Sequence, residues 1–187
     1  MVPLLSLWLP ILLAAVFVFI VSSVIHTVLT YHHNDYAAVP REREVAAALR
    51  PFAILPGEYM MPKPANPKEM KTPEFLEKLK QGPVMAMTVF PNGPFTMGKQ
   101  LVQWFVYCVV IGIFAGYVAS RTLAPGTPYL QVFRVTGTVA FAGYGLALVQ
   151  ASIWFGRRWN TTLKSVFDAL IYGLLTAGTF GWLWPAS

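Results

Sequence analysis

Four stretches of the chain are almost continuously apolar over lengths that suit a helix crossing a bilayer, whose hydrocarbon core takes about 20 residues. They run from Leu4 to Leu29, Leu101 to Ser120, Phe133 to Phe155 and Val166 to Trp184. This pattern predicts an all-α membrane protein with four transmembrane helices. Polar positions concentrate instead between Thr30 and Gln100, where ten of the fifteen prolines also fall. Proline at that density interrupts helices, so only two short ones are predicted there. One covers Pro40 to Leu49; the other covers Pro73 to Lys80, with Thr72 as N-cap and Gly82 at its end. Ile54 to Met61 and Val84 to Phe90 read as extended segments able to pair as a short β-ribbon, the second closed by Pro91-Asn92-Gly93-Pro94. A two-stranded ribbon is marginal alone in water, and the alternative for this loop is a flexible linker.

Composition sharpens the membrane reading. Hydrophobic residues make up 56% of the 187, charged residues only 12%, and mean hydropathy is +0.53, which argues against a soluble enzyme. The first apolar run could pass for a secretory signal, but Met1 to Pro10 holds no Lys or Arg and the run exceeds an h-region of about 7 to 15 residues. It is expected to stay attached as a span. All six tryptophans, Trp8, Trp104, Trp154, Trp159, Trp182 and Trp184, fall near ends of the runs, where an amphipathic ring prefers to sit.

Charge then sets the orientation. With four spans, the N-terminus, the second loop and the C-terminus share one side and hold only Arg121 and Arg134. The other side holds Arg41, Arg43, Arg50, Lys63, Lys68, Lys71, Lys78, Lys80 and Lys99 in the long loop, plus Arg157, Arg158 and Lys164. Positive charge stays in the cytoplasm, so both termini are expected in the periplasm and the 30–100 loop in the cytoplasm. The basic residues form patches between apolar runs and no continuous basic face, which argues against nucleic acid.

Small residues recur every fourth position in the last three runs: Gly112, Gly116 and Ser120; Gly143, Ala147 and Ala151; Gly173, Ala177 and Gly181. Such faces let helix backbones approach closely. They are expected to pack within one bundle, or else to receive a helix of a protein partner or of a second copy. The first run has no glycine, which places it at the lipid-facing edge.

Asp168 is the one acidic residue inside the four runs, and it is expected to pair locally with Lys164, Arg157 or Arg158 and so to hold the third loop. The three histidines, His26, His32 and His33, cluster with Asp35 where the first span ends. In a continued helix His26 and His33 stand about 10 Å apart along the axis, too far to share an ion. The candidate metal ligands are therefore His32, His33 and Asp35 on an unwound turn, or ligands supplied by a partner, against a reading of all three histidines as ordinary interfacial residues. A haem between facing helices is excluded within one chain, because the other three spans contain no histidine. With no phosphate-binding glycine loop and no Gly-x-Ser-x-Gly turn, no catalytic or cofactor-binding residue is predicted, and no cofactor. Cys108 reads as a small core residue.

The opening Leu7-Trp8-Leu9-Pro10-Ile11-Leu12-Leu13, Ser22-Ser23 with His26, Tyr31-His32, the segment from Pro128-Tyr129 through Arg134-Val135-Thr136-Gly137, and the closing Asp168-Ala169-Leu170 to Trp182-Leu183-Trp184 resemble an uncharacterised family of small bacterial four-span inner-membrane proteins with no assigned activity. The resemblance spans nearly the whole chain and implies a bacterial inner-membrane location; it carries over no functional residue. Three functions remain open. One is a non-enzymatic interaction or accessory subunit of a membrane complex. Another is a binder or carrier of lipid, quinone or another small molecule, in a pocket lined by Tyr107, Tyr144, Tyr172 and Gln150. The third is a metal-dependent membrane enzyme.

Overall fold

A computed structural model describes residues 1–94 and 96–186. It divides into two compact units, Met1–Tyr36 with Thr96–Ser187, and Ala37–Phe95. Seven α-helices are described: α1 (Trp8–Thr27, led by a 3-10 turn at Leu4–Leu7), α2 (Glu42–Leu49), α3 (Pro73–Gln81), α4 (Gly98–Thr122), α5 (Tyr129–Gly145), α6 (Val149–Phe155) and α7 (Trp159–Trp182). Two strands, β1 (Gly57–Met61) and β2 (Met85–Val89), pair antiparallel with Gly57 opposite Val89 and Met61 opposite Met85.

Three helices are long and apolar enough to cross a membrane: Leu4–Thr27, Gly98–Thr122 and Tyr129–Phe155, with mean hydropathies of 2.8, 2.0 and 1.5. The fold is that of a helical membrane protein. The third of these helices is not regular, because a 3-10 turn at Leu146–Leu148 separates α5 from α6. Near that break the Tyr107 hydroxyl donates to the Gly143 carbonyl at 2.8 Å. The helix α7 matches the others in length, 24 residues, but carries Lys164 and Asp168. It begins at Trp159, seven residues before the predicted run.

In the first unit α1 packs on α4 and α7, and α5 packs on the same two, so the long helices close a square. The expectation that α1 lies at the lipid-facing edge is corrected by this arrangement. Ile11, Ala14, Ala15, Val18, Ser22 and Ile25 of α1 are buried. The small residues it needs belong to α4: a Cβ on Gly112 would stand 3.3 Å from the Ile11 carbonyl, and one on Gly116 would meet Ile11 and Phe180. Trp104 of α4 also donates to Ser22 Oγ at 2.8 Å.

The α5–α7 seam is the most extensive of the contacts between long helices. A Cβ on Gly137 would lie 2.9 Å from Ala177, one on Gly145 2.9 Å from Ala169, and one on Gly181 2.6 Å from Tyr129, while Gly173 faces the Phe141 backbone. Gly143 faces Ile111 of α4. Ser120 is buried and bonds back to the Tyr117 carbonyl at 2.7 Å. The fourfold spacing fails at Ala147, which is exposed, and Ala151, which is half-buried. The 3-10 turn changes the angular step between residues, so a face counted through it rotates out of register. Gly137 and Gly145, which the spacing rule passed over, do that packing instead.

In the second unit Thr72 caps α3 by accepting from the Phe75 amide at 3.3 Å, and Gly82 closes the helix at φ 60°. The helix α2 starts at Glu42, two residues after Pro40, with Arg41 in the left-handed region and its Nε donating to Glu44 at 2.8 Å.

Candidate polar cluster between the first and last helices

The site begins with how α1 ends. After Thr27, Val28 and Leu29 both donate to the Val24 carbonyl, and Leu29 turns extended (φ −82°, ψ 136°). A single 3-10 turn at Thr30–His32 follows, closed by His33 N donating to the Thr30 carbonyl at 3.0 Å. The chain thus doubles back. The His32 ring lies 4.6 Å, centroid to centroid, from that of His26, whereas six residues of continued helix would separate them by about 9 Å of rise.

The same turn carries His32 to α7. His32 Nδ1 meets Asp35 Oδ2 at 2.6 Å, and Nε2 meets Asp168 Oδ2 at 2.8 Å. Both contacts are N–H···O bonds when the ring carries two protons. The Tyr31 hydroxyl donates to the other oxygen of Asp168, and Lys164 donates to Asp35 Oδ1 at 2.9 Å and to the Tyr31 carbonyl. One imidazole and one lysine amine thus serve two carboxylates, the kind of partnering that buried acids need. Burial alone would raise Asp35, but the hydrogen bonds from His32 and Lys164 outweigh it and hold its carboxyl below the usual range. Burial and the bond to Asp168 push the Tyr31 phenol well above its ordinary value, so it stays a donor.

Two expectations are corrected here. Asp168 is bound to His32 and Tyr31; Lys164, one helical turn away, goes to Asp35. The third loop is held by other groups, Ser152 Oγ on Thr162 Oγ1 at 2.7 Å and Arg157 on Ser165 at 3.2 Å. The metal-ligand set His32, His33 and Asp35 also does not assemble as such: His33 is exposed, and Asp35 occupies the far nitrogen of His32. The ligand atoms that converge belong to His26, His32 and Asp168, all within 4.8 Å of one another. The signal was available: a buried carboxylate in an apolar helix needs a donor, and Tyr31 and His32 are the donors the chain delivers to that end.

The tyrosine pocket is corrected too. Tyr144 and Tyr172 are buried and packed edge to face at 5.5 Å with Trp104 beside them, so they fill the core, while Gln150 is exposed. A hollow of about 290 Å³ lies elsewhere, along α5 and α7, and its lining is mostly apolar, with Arg134 at its edge. Comparison with family models, curated proteins and solved structures finds no match.

Proposed function

We propose that the chain is a four-span membrane protein acting as a non-enzymatic interaction or accessory subunit. The observation that carries this reading is the surface of the second unit. Among its described residues only Phe75 is fully buried, while Phe52 and Leu55 are each 73% exposed and Phe90 69%. A unit with so little core of its own is stabilised by something that covers it. The small-residue faces of the first unit, by contrast, are largely consumed inside the bundle.

The fourth span is supported by the sidedness of α7. Leu163, Phe167, Leu170 and Leu174 form an exposed apolar stripe, and Thr161, Thr162, Asp168, Thr176 and Thr179 are buried. Apolar outside and polar inside suits a helix solvated by lipid. Charge bias then favours a cytoplasmic second unit with both termini across the membrane. A Lys71→Cys label reacting only from the periplasm would reverse that orientation.

The function is tested with photo-crosslinkers at Phe52 and Phe90 in the native membrane, followed by mass spectrometry of the adducts. One reproducible protein partner is expected at both positions. Adducts to lipid alone would replace the subunit reading with a membrane-surface one, and the absence of any adduct would overturn it.

A further inference from the structure

We propose that His26, His32 and Asp168 form a binding site for a divalent transition-metal ion, zinc in the first instance. Three observations converge. First, one ligand atom from each of the three lies within 4.8 Å of the others. Tetrahedral zinc with nitrogen and oxygen ligands at about 2.0–2.2 Å places neighbouring donors about 3.3 Å apart. His32 Nε2 and Asp168 Oδ2, at 2.8 Å, need to open by only about half an ångström to admit the ion between them.

Second, the surrounding shell is already built. Asp35 accepts from His32 Nδ1 at 2.6 Å, which holds the ring with Nε2 turned to Asp168 and, once that nitrogen gives up its proton, available to a metal. Lys164 holds Asp35 in turn, and Tyr31 holds the oxygen of Asp168 that does not face His32. Third, the donor set is of the right kind, two imidazoles and one carboxylate. Three protein ligands leave a fourth position open, and His26, the one exposed member, gives the ion a way in. As zinc enters, the proton on His32 Nε2 leaves to solvent, and the ion takes its place between the same two residues.

The test uses the full-length protein in detergent, stripped with chelator and dialysed against zinc chloride, with bound metal counted by elemental mass spectrometry. His26→Ala is the decisive variant, because His26 makes no side-chain hydrogen bond among those described and its loss leaves the His32–Asp35–Asp168 contacts intact. One zinc per wild-type chain is expected, with at least tenfold weaker retention in His26→Ala and full retention in His33→Ala. Cobalt(II) in place of zinc should show the intense visible bands of a four-coordinate site in wild type and lose them in His26→Ala. Wild type without zinc, equal zinc in His26→Ala, or loss in His33→Ala instead would each overturn the assignment.

Discussion

Replacing Asp168 by alanine removes the acceptor that Tyr31 and His32 share. His32 and Asp168 are 10% and 4% exposed at their side chains, so the pair is not discounted as a surface ion pair worth 0–1 kcal/mol. The truncation removes two hydrogen bonds to a charged group, each worth about 1.5–3 kcal/mol, and leaves Tyr31 and His32 without that acceptor. Against that, it relieves the desolvation of the carboxylate, and His32 keeps its contact with Asp35. The net cost expected is about 2–4 kcal/mol. Asp168→Asn keeps the shape but only one acceptor oxygen, which the Tyr31 hydroxyl can use, while its amide nitrogen can meet His32 only as a donor; the expected cost is about 1 kcal/mol. The measurement is chelator-treated unfolding in mixed micelles followed by tryptophan fluorescence, run as a cycle of His32→Ala, Asp168→Ala and the double variant. Coupling of about 1.5–3 kcal/mol is expected. Additivity to within about 0.5 kcal/mol would refute the direct pairing of these two residues.

Gly173→Val drives a branched side chain into the Phe141 backbone, 3.3 Å from its Cβ position, and should destabilise by about 1–3 kcal/mol, whereas Gly98→Ala, with nothing within 4 Å, should be neutral to about 0.5 kcal/mol; both are read by the same unfolding assay. Trp104→Phe leaves the ring stack and loses the bond to Ser22, for an expected cost of about 0.5–1.5 kcal/mol. In metal-free protein, the depressed Asp35 carboxyl contributes stability that is fully present above the unfolded-state value of about 3.9 and is lost as pH falls through the lower folded value. The stability gap between wild type and Asp35→Asn should therefore hold from pH 7 to about 4 and close below it.

Hydropathy alone locates the helices Leu4–Thr27, Gly98–Thr122 and Tyr129–Phe155, because lipid solvation demands long apolar helices wherever they occur. α7 falls outside that set: Lys164, Asp168 and the inward threonines interrupt its apolar character, although its outward stripe is Leu and Phe. The break at Leu146–Leu148 carries no proline to announce it, and every small-residue count made through it went astray at Ala147. The polar cluster was half visible. An Asp in an apolar run and histidines at a helix end are legible as types, but their pairing depends on Leu29 turning extended, a single dihedral that no composition or period encodes. Helical spacing therefore favoured Lys164, four residues away, over His32, which is 136 residues away.

That separation of 136 residues has a consequence for biosynthesis. A ribosome adding about 5–20 residues per second delivers Asp168 roughly 7–27 s after His32. Throughout that interval Tyr31 and His32, just past the first helix, are without the carboxylate they will bond, and Leu7 lacks the Val132 and Phe180 that will cover it. The nascent chain therefore depends, for seconds at a time, on whatever in the insertion machinery shelters an incomplete polar end. A chain stalled before α7 is the form that quality-control proteases should recognise first.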